Sequence, residues 1–188
     1  MKSVLLLLLI VPFAKSSYYK NVNGYIVTLA DDTVSVQIKL PGFMGYNLNK
    51  EVQVIDSSGE AKILLPSEIK AFGYTQKSAN YIYRSKPVDN GKKYFLEPVI
   101  VGPRASLYQY TRTSGGENMS THEFYTFEKP DGTYMFMTNY AALTTFREKL
   151  KAFYGGSAEI DQLINSKFEF RRHIQRDIRA ILEAVNKL

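Results

Sequence analysis

The chain contains two histidines, the side chains best suited to move a proton near neutral pH. His122 lies at the start of a predicted strand, and His173 lies in the last predicted helix. Glu97, Glu123 and Glu128 also fall on predicted strands, where two carboxylates facing one cleft would support hydrolysis. A hydrolase with a site built from strand carboxylates and His122 is therefore one hypothesis for this chain.

The sequence lacks the common patterns of catalysis and metal binding. It has no Cys, which excludes disulfides, thiolate metal sites and thiol nucleophiles. It contains neither a Gly-x-Ser-x-Gly elbow nor a His-Glu-x-x-His motif, and no Gly-rich phosphate loop with its lysine. Because an active site needs a convergent set of reactive groups, the sequence favours a non-catalytic protein. It predicts no catalytic residue, no metal ligand and no cofactor.

Aromatic residues are abundant, with 14 Tyr and 11 Phe, and many of them fall on predicted strands. Tyr108 and Tyr110 alternate with polar residues in a segment that ends at Arg112. One interpretation is core packing and cross-strand pairing. The other is an exposed face that binds a protein or a glycan, because tyrosine combines apolar area with a polar tip. Tyr108, Tyr110 and Arg112 are therefore candidate binding residues.

A second candidate surface lies near the C-terminus. Arg172, Arg176 and Arg179 follow one another at spacings of four and three, so a helix would place them on one face. This arrangement is typical of a solvated helix face. It also suits peripheral contact with an anionic lipid or polymer in the cell envelope.

The N-terminus predicts a secretory signal peptide. Lys2 precedes an apolar run at residues 4–14, and small residues follow at Ala14 and Ser16, after either of which cleavage is plausible. The run is shorter than the ~20 residues of a spanning helix, and no later stretch reaches that length, so we expect no transmembrane segment after signal removal. Cleavage after Ser16 removes Lys2 and Lys15 and lowers the formal charge from +6 to +4. We therefore expect an exported protein that is periplasmic, envelope-associated or secreted, and that does not bind nucleic acid.

Residues 25–138 have a period of two. Val34, Val36, Ile38 and Leu40 alternate with polar residues, which predicts a strand with one buried face. Turn sequences such as 129–132, Lys-Pro-Asp-Gly, separate the predicted strands. About 8–10 short antiparallel strands at this spacing favour a sandwich or an open barrel.

After residue 138 the period becomes helical. Gly155-Gly156 ends a first predicted helix, and Ser157 is a candidate N-cap for a second. A Ser166-x-x-Glu169 capping box would begin a third. That third helix carries one apolar stripe made of Ile174, Ile178, Ile181, Leu182, Val185 and Leu188.

These observations predict an α+β fold in which an antiparallel β-rich body precedes a layer of about three α-helices. We expect a signal peptide at residues 1–16 and a single domain at 17–188. The β-rich part of that domain covers 17–138 and the helical part covers 139–188. The stripes of the helices require burial against one another or against the sheet.

Two segments and the C-terminal region carry a resemblance. Gly24-Tyr25-Ile26-Val27-Thr28, which leads into an acidic turn, resembles a recurrent opening of exported, uncharacterised proteins of Bacteroidota. The segment 65–73 is similar to a Pro-x-Asp/Glu-Ile step of that group, and 146–186 is similar to its C-terminal helical tail. The resemblance implies an exported envelope protein of unknown activity, and it carries over no catalytic residues.

Overall fold

The computed structural model of the chain describes residues 19–41, 48–114, 120–169 and 171–188. The predicted signal peptide lies outside these residues. The described part contains ten strands followed by three α-helices. The strands are β1 (Tyr19–Thr28), β2 (Thr33–Pro41), β3 (Val52–Ile55), β4 (Ala61–Leu64), β5 (Ile69–Gln76), β6 (Ala79–Pro87), β7 (Lys93–Val101), β8 (Ser106–Ser114), β9 (Ser120–Glu128) and β10 (Tyr134–Thr138). The helices are α1 (Leu143–Tyr154), α2 (Ala158–Asn165) and α3 (Ile174–Val185).

The strands form one open antiparallel sheet in the order β10-β9-β8-β7-β6-β5-β1-β2-β3-β4. Strand β7 joins the two halves of this sheet, because residues 93–96 pair with β6 and residues 97–101 pair with β8. The predicted α+β class, with an antiparallel body before a helical layer, is confirmed.

Turn chemistry explains the hairpins that the sequence predicts. Strands β1 and β2 pair in a register that places Val22 opposite Ile38, with both side chains in the core. Between β9 and β10, Gly132 has φ 83° and its N–H donates to the Lys129 carbonyl at 3.0 Å. Gly accepts this left-handed conformation without steric cost, so the turn that the sequence indicates forms at this position.

Strand β5 is a central strand that the period-two pattern does not identify. Its residues Ala71 to Tyr74 are all buried. Phe72 and Tyr74 enter the core of the first half of the sheet, while the Tyr25 ring covers Gly73 on the other face. A Cβ on Gly73 would lie 2.7 Å from that ring. A strand buried on both faces shows no polar alternation, which is why the pattern fails here.

The helices cover one face of β7–β10, which we call the helix face. A single core cluster combines strand and helix side chains. Its members include Leu107, Tyr125, Phe127, Met137, Phe146, Leu150, Ile160, Ile164, Ile178, Ile181 and Leu182. The amphipathic stripes of the helices are therefore buried both against one another and against the sheet.

The helix boundaries correct one prediction. Ser157 caps α2 as expected, accepting the Ile160 N–H at 3.4 Å. The capping box at Ser166 is wrong, because the Ser166 hydroxyl donates to the Leu163 carbonyl at 2.8 Å and so belongs to the end of α2. Phe168 then adopts a left-handed conformation, with φ 62°, and α3 begins only at Ile174.

Asn186 connects the end of α3 to the turn between β7 and β8. Its Oδ1 accepts the N–H groups of Arg104 at 2.9 Å and of Ala105 at 2.8 Å, and its Nδ2 donates to the Ala105 carbonyl at 2.9 Å. The amide also lies so close to Gly102 that a Cβ there would be 2.3 Å from it. These contacts fix the position of the turn relative to the helical layer.

We expect Asn186→Ala to lower the free energy of unfolding by about 2–3 kcal/mol, since each of its three hydrogen bonds contributes about 1 kcal/mol. Urea unfolding followed by circular dichroism measures this change. Asn165→Ala is the matched control, because Asn165 is exposed at the end of α2. Equal effects of the two substitutions would contradict the role given to the Asn186 amide.

Candidate functional site

The face of β7–β10 opposite the helices, which we call the open face, carries a row of stacked aromatic rings. Tyr94, Tyr110, Phe124 and Phe136 come from four neighbouring strands. The ring centroids of Tyr94 and Tyr110 are 5.5 Å apart, those of Tyr110 and Phe124 are 4.4 Å apart, and those of Phe124 and Phe136 are 6.0 Å apart. The planes of each pair lie within 15° of parallel. We call these four residues the aromatic row.

Strand register produces the aromatic row. Side chains alternate between the two faces of a sheet, so Tyr110 and Phe124, which pair directly, lie on the same face. Their neighbours Gln109 and Tyr125 point to the helix face, where Tyr125 is fully buried. All four rings of the row are half-buried, which leaves part of each ring accessible.

The stacking determines which part of each ring faces outward. Rings stacked in parallel cover each other's faces and leave their rims accessible. A planar group inserted between two rings needs about 7 Å, twice the contact distance of ~3.5 Å, and the centroids in the row are 4.4–6.0 Å apart. The row therefore suits contact across its rims better than insertion of a sugar or a base between its rings.

Polar and aromatic groups extend the surface beyond the row. Lys92 Nζ lies 5.5 Å from the centroid of the Tyr94 ring, at one end of the row. Along β9, the His122 ring lies 6.5 Å from the inner ring Phe124 and 4.6 Å from Tyr140. Tyr140 is 53% exposed. The accessible surface thus continues past the four strands onto the segment that leads to α1.

Tyr110 is neutral at physiological pH. Burial raises its pKa to about 12, with the neighbouring Tyr94 adding to this rise and Arg112 opposing it. The Tyr110 hydroxyl is therefore available as a hydrogen-bond donor and acceptor at the surface.

Of the three candidates on β8, the structure places two at the surface and buries the third. Tyr110 belongs to the aromatic row, and Arg112 is exposed and pairs with His122 in the β8–β9 register. The prediction of Tyr108 as a surface ring is wrong, because Tyr108 is only 2% exposed. The end of β6 covers it, because Lys86 Nζ lies 4.5 Å from the centroid of its ring, and Val88 belongs to the same buried cluster.

The arginines near the C-terminus lie apart from the aromatic row. Arg172 lies in the 3-10 turn before α3, whereas Arg176 and Arg179 lie on α3 itself, and all three are exposed. Arg176 Nη2 lies 3.0 Å from Asp177 Oδ1. The helical layer covers the helix face, so these arginines and the aromatic row are on opposite sides of the sheet. Contact of the arginines with an anionic envelope surface stays a prediction.

Strand alternation also separates the groups of the hydrolase hypothesis. Glu123 is adjacent to His122 in sequence and therefore points to the helix face, where its carboxylate accepts from Tyr125 and, at 2.6 Å, from Gln175 Nε2. Glu128 shares the face of His122 but lies six residues along β9, about 20 Å away at ~3.3 Å per residue. It forms a 2.5 Å ion pair with Lys86.

Glu97, the third strand carboxylate, is hydrogen-bonded to Tyr83 on the helix-face side. None of the three carboxylates is thus brought to His122. Within the described residues there is also no group of three or more His, Cys, Asp or Glu side chains that could hold a metal ion.

No protein-family model, curated protein or solved structure matches this chain. None of the helices in the described ranges has the length and apolar character needed to cross a membrane.

Proposed function

We propose that this chain is an exported, non-catalytic envelope protein that binds another protein through the aromatic row. The observation that carries the proposal is the stack formed by Tyr94, Tyr110, Phe124 and Phe136 on the sheet face that the helices leave uncovered. Aromatic side chains are enriched at the centres of protein interfaces, where they supply large apolar area with little loss of side-chain freedom.

The rims of the row favour a protein over a glycan as the partner. Stacking of a sugar needs an accessible ring face, whereas the row covers the faces of its inner rings. Two cations, Lys92 and Arg112, lie beside the row. We therefore expect a partner surface with an apolar centre and acidic groups at its margin.

Replacing a central ring tests the proposal. We expect Phe124→Ala to weaken capture of the partner at least tenfold, about 1.4 kcal/mol, because truncation removes both its own contact area and its support for Tyr110. Immobilised protein exposed to an envelope extract, followed by quantitative mass spectrometry and by titration of the purified partner, measures this loss.

Tyr81→Ala is the matched control for this experiment. Tyr81 is also a stacked and partly exposed ring, 4.9 Å from Tyr74 and 38% exposed, but it lies on β6 outside the row. Its replacement should change capture less than twofold. If Phe124→Ala and Tyr81→Ala captured the same proteins in the same amounts, the proposal would be refuted. Captured material that is carbohydrate rather than protein would refute the class of partner.

A further inference from the structure

A cleft of about 320 Å³ lies at the end of α1, away from the aromatic row. Its lining combines the turn between β7 and β8, the turn between β9 and β10, and the last residues of α1. The side chains that define its chemistry are those of Arg104, Lys129, Asp131, Phe153 and Tyr154. Its volume is at the lower end of the roughly 300–1,000 Å³ typical of small-molecule pockets.

Tyr154 lines this cleft, and its hydroxyl is an unused donor. Its Oη is buried and has no hydrogen-bond partner among the described residues. Burial, together with the nearby charge of Glu128, raises the pKa of Tyr154, so the phenol keeps its proton at physiological pH. Buried polar groups are normally hydrogen-bonded, and an exception in a cleft indicates a missing partner.

Two cations line the same cleft without a carboxylate partner. Within the described ranges, neither Arg104 nor Lys129 forms an ion pair. Lys129 Nζ lies 4.7 Å from the centroid of the Phe153 ring, which holds the ammonium group at the cleft. Arg104 is held through its backbone by Asn186.

The acids around the cleft form no ion pair with these cations among the described residues. Asp131 lines the cleft, but its Oδ1 accepts the Thr133 N–H at 2.8 Å, and this bond holds the pKa of the carboxyl below its usual range, with a further contribution from the Lys129 charge. Glu128 is paired with Lys86 at 2.5 Å. Arg104 and Lys129 against Asp131 leave one net positive charge at the cleft.

We propose that this cleft binds the phosphate group of a small ligand, contacted by Arg104, Lys129 and the Tyr154 hydroxyl. A phosphate monoester has three terminal oxygens and nearly two negative charges, so it offers one oxygen to each of a guanidinium, an ammonium and a phenol, whereas a carboxylate has two oxygens and one charge. The phosphate belongs either to a free small molecule or to a lipid headgroup.

Titration with inorganic phosphate at constant ionic strength, followed by the backbone amide signals of Arg104, Gly132 and Gly155, tests the site. We expect saturable shifts with a Kd of about 1–10 mM, and weaker binding of acetate. Arg104→Gln and Lys129→Gln should each raise the Kd at least tenfold. Lys149→Gln, the same change on an exposed residue of α1, should leave it unchanged. Shifts that do not saturate, or that respond equally to Lys149→Gln, would overturn the proposal.

Tyr154→Phe separates binding from folding. It should weaken phosphate binding several-fold and leave the melting temperature unchanged or raised, because the hydroxyl has no partner within the described fold. A lower melting temperature with unchanged phosphate affinity would refute the role of Tyr154.

Vesicles with and without phosphatidic acid distinguish the two sources of phosphate. Co-sedimentation that depends on phosphatidic acid and on Arg104 identifies a headgroup. Absence of such binding, with phosphate titration intact, identifies a free ligand.

Discussion

Raising the pH from 9 to 11 is expected to lower the free energy of unfolding by at least about 4 kcal/mol. Burial raises the pKa of five phenols above the ordinary 10, and the shifts are largest for Tyr83, Tyr125 and Tyr154. Neighbouring Glu97, Glu123 and Glu128 respectively add to the rise. The folded protein therefore keeps these phenols protonated under conditions where the unfolded chain ionises them.

The sign of this effect follows from the direction of the shifts. The unfolded chain binds fewer protons than the folded chain above pH ~10, so stability is fully present below pH ~10 and is lost as the pH rises further. Each phenol contributes about 1.4 kcal/mol per pH unit in that range. The three phenols with the largest shifts account for about 4 kcal/mol of the loss, and Tyr74 and Tyr110 add to it.

Urea midpoints measured at pH 8, 9, 10 and 11 check this prediction. Tyr125→Phe should reduce the alkaline slope by about 1.4 kcal/mol per pH unit, since it removes one of the phenols with the largest shifts. Tyr140→Phe removes an exposed phenol and should leave the slope as it is. A urea midpoint that is constant from pH 9 to 11 would contradict the burial of these tyrosines.

Asp177→Ala is expected to lower the free energy of unfolding by about 3–5 kcal/mol. Asp177 is 2% exposed in the first turn of α3, and its Oδ2 accepts the backbone N–H of Phe168 at 2.9 Å. Its Oδ1 accepts from Arg176 Nε at 3.1 Å and from Nη2 at 3.0 Å. Removing the carboxylate leaves a buried N–H without an acceptor and Arg176 without its partner.

The same carboxylate holds the connection between α2 and α3 in shape. Phe168 is buried with φ 62°, a left-handed conformation that costs about 1–2 kcal/mol for a residue with a Cβ. Its ring stacks on Phe146 at 5.4 Å. The Asp177 contact therefore stabilises a strained backbone that places an aromatic ring in the core.

Arg176→Gln separates the two partners of Asp177. The Arg176 side chain is 66% exposed, so loss of its charge should cost less than about 1 kcal/mol. Glu183→Gln, the loss of an exposed charge on the same helix, should change stability by at most about 0.5 kcal/mol. Chemical denaturation of the unchanged protein and of the Asp177→Ala, Arg176→Gln and Glu183→Gln variants measures these differences. If Arg176→Gln were as damaging as Asp177→Ala, the ion pair rather than the Phe168 contact would be the main interaction.

Local sequence patterns predicted the structure correctly where a single residue type favours one backbone conformation. Gly132 accepts the left-handed position of a turn, and Ser157 accepts the N–H of Ile160 at the start of α2. Alternation identified β2 because one face of that strand is buried and the other is not. Each of these signals depends on near neighbours in the chain, so the sequence carries them without knowledge of the fold.

Patterns failed where the environment comes from distant parts of the chain. Strand β5 has no alternation because Tyr25 covers one face of it and the core covers the other. The Ser166 hydroxyl has two possible roles at a helix end, and in the fold it lies at the end of α2, where it donates to the carbonyl of Leu163. The aromatic row needs four strands in register, which no single segment specifies.

The sequence by itself determined the α+β class, with antiparallel strands before helices, and it excluded cysteine chemistry. Only the tertiary structure decided which tyrosine lies at the surface. Tyr108 and Tyr110 occupy the same face of the same strand, two residues apart. Lys86 Nζ lies over the Tyr108 ring, whereas Tyr110 stays half-buried beside Phe124. A side chain's exposure depends on what folds over it, and here the covering residue lies on another strand, far from Tyr108 in the chain.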